Sequence, residues 1–141
     1  MFDVILVGAD DSPTALRAVE AACEICAMSK GTLHIVTAFE QLTVLGGADT
    51  HEFKVVINEE DGRALLQTLS FIAKKHDVQP VLHSAKGDAA DVLIAKADEV
   101  GADLIVVGNR GMKGVRRVLG SVPNSVAHGA ACSVLIVDTT E

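Results

Sequence analysis

Residues 108–122 read Gly-Asn-Arg-Gly-Met-Lys-Gly-Val-Arg-Arg-Val-Leu-Gly-Ser-Val, with Leu-Ile-Val-Val before them at 104–107 and Pro123 after. The β-branched run predicts a buried strand, the glycines allow tight turning, and Gly-Ser-Val-Pro predicts the first turn of a helix. Strand, glycine loop and helix N-terminus together make an anion cradle. Unpaired helix N–H groups and the positive end of the helix dipole both favour bound phosphate.

Charge points the same way. Between Asp103 and Asp138 there is no Asp or Glu, whereas Arg110, Lys113, Arg116 and Arg117 all fall inside that span. The whole chain carries net −7; without these residues it would hold 8 basic against 19 acidic side chains, net −11. A local cationic loop on an acidic protein suits a small polyanion. The plain alternative is a surface loop with solvated basic residues.

The elements that must position this loop follow from periodicity. Val4-Ile-Leu-Val, ended by Gly8, predicts a first buried strand, and Ala9-Asp-Asp-Ser-Pro leads from it. Ser12 is a candidate N-cap with Pro13 at the first helical position, Leu16, Val19, Cys23 and Cys26 recur at helical spacing, and Gly31 is the expected stop. Residues 33–38 form the second strand, joined by a right-handed crossover. Residues 39–58 hold Gly46-Gly47 without a steady period and predict a mobile loop.

Glu59-Glu-Asp opens a helix that carries Leu65, Leu69 and Ile72 and ends in Lys74-Lys-His, acid first and base last as the dipole prefers. Val81-Leu82 marks a weaker third strand; Asp88 can cap a helix that Gly101 stops. Residues 103–107, 121–128 and 134–137 supply the fourth strand, a short helix and the fifth strand. Five strands alternating with four helices predict one α/β domain over residues 1–141, a parallel doubly wound sheet with helices on both faces. In such sheets ligands sit beyond the carboxyl ends of the strands where strand order reverses. The residues after the first, second and fourth strands should therefore line one crevice.

Composition excludes several classes. With 141 residues and 49% apolar content the chain can bury a core, but no Trp, no Tyr and only four Phe leave little for stacking bases along a nucleic acid. No apolar run approaches the ~20 residues that span a bilayer, and Met1-Phe-Asp-Val lacks a basic leader, so a cytoplasmic protein is expected. Three cysteines fit a reducing compartment. Cys23 and Cys26 have C-x-x-C spacing but lie in the second half of their helix, away from the dipole that activates a redox pair, so core positions are expected. The histidines show no metal spacing, and no G-x-S-x-G elbow is present. Neither G-x-x-x-x-G-K-[ST] nor a G-x-G-x-x-G after the first strand occurs. Asp10-Asp11 resembles the magnesium pair of a phospho-receiver domain, but no Asp ends the third strand and no Lys ends the fifth.

Gly108-x-x-Gly111 followed by Gly120-Ser121 resembles the G-x2-G-x9-G-[S/T] signature of ATP-binding universal stress proteins. The resemblance covers the whole chain, including Asp10, Ser12 and the closing Cys-Ser-Val-Leu-Ile-Val strand; its one departure is a spacer of eight residues, Met112 to Leu119, where the motif has nine. It implies a Rossmann-like, adenine nucleotide alpha hydrolase-like fold. It also implies roles: Asp10 with Ala9 against adenine or ribose, Ala38 reading adenine through its backbone, and residues 107–111 over ribose and α-phosphate. Val107, Gly108, Arg110 and Gly111 fall in that last stretch, and Gly120, Ser121 and Val122 would face the outer phosphates. ATP is the implied ligand, with Mg2+ as an allowed companion. Cyclic AMP is the alternative, because the short spacer leaves less room for a triphosphate.

The expected function is adenine-nucleotide binding in stress response or signalling. No catalytic residue stands out, so at most slow ATP hydrolysis is expected. The competing classes are a true nucleotide hydrolase and a ligand-free interaction module. Homodimerisation through the last strand, Ser133 to Val137, is implied by the resemblance and motivated by an apolar edge that needs covering.

Overall fold

The computed structural model describes residues 1–10, 12, 15–39, 59–109 and 122–138. Its elements run β1 (Val4–Gly8), α1 (Ala15–Ser29), β2 (Thr32–Phe39), α2 (Glu59–Lys75), β3 (Val81–Lys86), α3 (Ala89–Val100), β4 (Leu104–Gly108), α4 (Val122–Gly129) and β5 (Ser133–Val137). All strand pairs are parallel, and the order is β3-β2-β1-β4-β5. This is the α/β architecture expected from the sequence, with five strands and four helices.

Side chains alternate between two cores, one on each face of the sheet. Ile5, Val7, Leu33, Ile35, Leu104 and Val106 pack under α1 and α2, while Leu6, Val36, Ile105 and Val107 pack under α3 and α4. Burial on both faces explains why β1 and β4 read as continuous apolar runs rather than alternating ones. Each such buried side chain contributes about 1.5–3 kcal/mol relative to exposure.

Helix α1 buries Ala15, Ala18, Val19, Ala22, Cys23 and Cys26. Leu16, expected on that stripe, is instead 38% exposed, because the small alanines carry the close approach to the sheet. The proposed Pro13 start lies outside the described residues. At the other end Lys30, not Gly31, takes the left-handed conformation, at φ 60°, and both amides donate to the Cys26 carbonyl. Gly31 has a different task. A Cβ there would lie 2.7 Å from the Phe2 carbonyl oxygen and 2.8 Å from that of Asp3, so only glycine lets the α1–β2 turn pass the N-terminal strand.

Helix α2 covers β2 and β3, burying Leu66, Leu69 and Ala73 and half-burying Leu65 and Ile72. Helix α3 is delimited as its sequence predicts: the Asp88 carboxylate accepts from the Asp91 amide at 3.2 Å, and Gly101 closes it at φ 69°. Strand β3 extends to Lys86, well beyond the apolar pair that announced it, because as an edge strand it draws its order from backbone pairing with β2. Asp103 ties the N-terminus to β4, its two carboxylate oxygens accepting from the amides of Asp3 at 2.9 Å and Val4 at 3.2 Å. Among the described residues, no helix is long and apolar enough to cross a membrane. The expected mobile loop lies, apart from Phe39, outside the described residues.

Candidate functional site

Strand order reverses between β1 and β4. Helix α1, which follows β1, packs on one face of the sheet and α4, which follows β4, on the other. A reversal of this kind is where doubly wound proteins hold ligands. With β2 beside β1, the ends of β2, β1 and β4 lie next to one another, as the sequence predicted.

Beyond β1, the Ala9 amide donates to the Val36 carbonyl at 3.0 Å, continuing the pairing by one residue. An Asp10 carboxylate oxygen accepts from the Ser12 amide at 2.9 Å, a turn that Asp stabilises through its own side chain. Gly8 lies close under α3: a Cβ would stand 2.6 Å from a Leu93 methyl, which would have to shift to admit it. Ala9 packs toward the α1 and α2 core and Ala38, at the end of β2, toward the opposite one, so the two bracket the edge of the sheet from both faces.

Beyond β4, Val107 is buried and Gly108 pairs with Val137. Asn109 then holds the start of the glycine loop against β5, its backbone amide donating to Val137 at 2.9 Å and its side-chain amide to Asp138 at 3.3 Å. Sequence reading overlooked this tie, although an amide side chain directly after a strand is a recognisable loop anchor. Val122 opens α4 against the α3-side core. Arg110, Gly111, Gly120 and Ser121, with the rest of the cationic span, lie outside the described residues. Among the described residues, therefore, the fold gathers Ala9, Asp10, Ala38, Val107 and Gly108 at adjoining strand ends, with Val122 starting the helix that follows.

Cys23 and Cys26 lie in the second half of α1, not at these strand ends. Burial is the main cause raising the Cys23 thiol to about 11, and Cys26 donates from Sγ to the Gly31 carbonyl at 3.0 Å. Both are core side chains, as their place in the helix implied. Among the described residues, no group of three or more His, Cys, Asp or Glu side chains is placed to hold a metal.

Two histidines do meet, which their separation in sequence concealed. His34 of β2 and His83 of β3 stack with ring centroids 5.1 Å apart and share a hydrogen bond, Nδ1 to Nε2, of 2.8 Å. Burial is the first cause lowering both pKa values; for His83 the His34 ring and Lys96 add to it while Glu99 opposes. A depressed folded-state value means that, below about pH 6.5, the unfolded chain takes up protons the native pair resists. Stability from this pair is complete above that pH and is lost as pH falls toward the lowered values. Melting temperature is accordingly expected to drop between pH 7.5 and 5.0, and to drop less in His83→Gln. Equal slopes for the two proteins would exclude the pair as the cause.

Comparison with known proteins agrees with this architecture. The model of the universal stress protein family matches residues 1–138. Universal stress protein A homolog 1 of Coxiella burnetii is 32% identical over 140 residues, covering 94% of each chain. Universal stress protein YxiE of Bacillus subtilis is 31% identical over 147 residues, covering 97% of this chain and 99% of its own. Among solved structures, a universal stress protein in complex with cAMP superposes with a TM-score of 0.79 at 34% identity, over 99% of both chains.

Proposed function

Because this chain belongs to the universal stress protein family, we propose that it binds an adenine nucleotide at the carboxyl ends of β2, β1 and β4. The observation that carries this reading is the reversal of strand order between β1 and β4, which gathers Ala9, Asp10, Ala38, Val107 and Gly108 at neighbouring ends. In this assignment the Ala38 backbone reads the base and Asp10 faces adenine or ribose. The glycine loop with Gly111, Gly120, Ser121 and Val122 takes the phosphates, with Arg110 adding a charge-assisted contact. ATP is the ligand that the glycine signature favours, accompanied by Mg2+ where three phosphates are present.

A specific pair of observations favours cyclic AMP as the second reading. The 34% identical relative was crystallised with cAMP, and the spacer between Gly111 and Gly120 is eight residues rather than nine. Neither reading asks the protein to be a fast catalyst. It acts by binding, in a cytoplasmic stress or signalling role. Leu135 and Ile136 are exposed on the edge strand β5, and covering them is the physical motive for a homodimer through that strand.

The test is to identify any nucleotide that copurifies and then to titrate ATP, ADP, AMP and cyclic AMP by calorimetry, with and without Mg2+. Tight binding of one adenine nucleotide without turnover is expected, with a matching rise in melting temperature. A protein that binds none of the four is an interaction module instead, and turnover abolished by Asp10→Ala would make it a hydrolase. Sedimentation is expected to show a dimer at micromolar concentration; a monomer would remove the β5 assignment.

A further inference from the structure

Among the described residues, one buried polar group is left over by the fold. Thr37 of β2 is 1% exposed, and its hydroxyl is the one buried side-chain polar atom, among the described residues, without a hydrogen-bond partner. Buried hydroxyls are nearly always paired, so an orphan in an otherwise satisfied core needs a reason.

Its position supplies one. Gly8 of β1 is in register with Val36, and the pairing continues through the Ala9 amide, so Thr37 stands level with Ala9. Alternation puts both on the α1 face, Thr37 above Ile35 and Ala9 above Val7. Thr37 therefore lies one residue beyond the end of β1 and two short of the end of β2, level with the start of the turn that Asp10 makes with Ser12. From β4 to β2 is two strand spacings, about 10 Å. If the glycine loop after β4 holds phosphate, β2 stands under the far end of the nucleotide, where the base lies. Rotation about one side-chain bond moves the hydroxyl among three staggered positions without disturbing the backbone.

We propose that Thr37 is a specificity residue whose hydroxyl is left unpaired in the free protein and is paired by the polar edge of a bound adenine. This rests on the nucleotide-binding reading above and adds the group that recognises the base. A threonine hydroxyl can donate to a ring nitrogen or accept from the exocyclic amino group, which suits adenine in either direction. Valine has the same shape without the hydroxyl. Were the side chain only a space-filler, valine would serve better at this position.

Thr37→Val and Thr37→Ser separate the possibilities, with melting temperature measured without nucleotide and affinity measured for ATP, AMP and cyclic AMP by calorimetry. Thr37→Val is expected to melt roughly 3–6 °C higher, because it removes an unpaired buried hydroxyl, and to bind about tenfold more weakly. Thr37→Ser is expected to keep wild-type affinity. A valine variant that melts higher yet binds as wild type overturns the proposal. So does one that melts lower, since the hydroxyl then has a structural partner. Wild-type protein that binds none of ATP, AMP and cyclic AMP defeats the nucleotide reading itself, a result distinct from equal binding by wild type and Thr37→Val.

Discussion

Gly111→Val is expected to abolish adenine-nucleotide binding, weakening it at least about 100-fold, which corresponds to roughly 2.7 kcal/mol. In the proposed site the ligand would be held by backbone N–H groups, and these reach a phosphate only where no side chain stands between. Among the motif glycines, Gly111 follows Gly108 at the spacing that places it over the ribose and α-phosphate in the proposed site. The anchoring of Asn109 to Val137 and Asp138 fixes where that loop begins. Calorimetry with the nucleotide that the wild type prefers reads the effect. An unchanged melting temperature in the absence of ligand would show that binding and not folding was lost. Unchanged affinity would remove the loop from the site.

The largest effect on stability is expected from Gly31→Ala. Its new methyl would meet the Phe2 and Asp3 carbonyl oxygens at 2.7 and 2.8 Å, and main chain yields far less readily than the end of a side chain. These two residues are themselves held, Asp3 through its amide to Asp103 and through its carbonyl to the Thr32 amide at 2.8 Å. Overpacking of this kind costs roughly 2–3 kcal/mol, or about 6–10 °C in melting temperature for a domain of this size. Gly101→Ala is the useful contrast, since it has open space around it but a left-handed backbone, and should cost only about 1 kcal/mol. Comparable melting of Gly31→Ala and wild type would mean that the N-terminal strand can shift aside.

Much of this could be read in the chain itself. The β-branched runs announced β1, β4 and β5, the acidic start and basic end announced α2, and Asp88 and Gly101 marked the limits of α3. These signals are local: hydrophobic period, dipole preference and capping act within a few residues, so a linear reading captures them. The same holds for the candidate site, whose described members, from Ala9 and Asp10 to Val107 and Gly108, lie at the strand ends where they were expected. Edge strand β3 was legible only in its first two residues, because His83, Ser84 and Lys86 carry no apolar pattern and owe their order to β2.

What the sequence determined by itself was the succession of elements, their class and the expectation that the glycine-rich, basic loop after β4 suits an anion. Tertiary structure alone decided the rest: that Gly31 serves a backbone crossing while Lys30 bends the chain, that His34 meets His83 across 49 positions, that Asp103 caps a strand 99 residues away, and that Thr37 is buried without a partner. The physical reason is range. Periodicity and capping are set by neighbours along the chain, whereas contact, register and satisfied hydrogen bonding depend on which distant strands the sheet brings side by side.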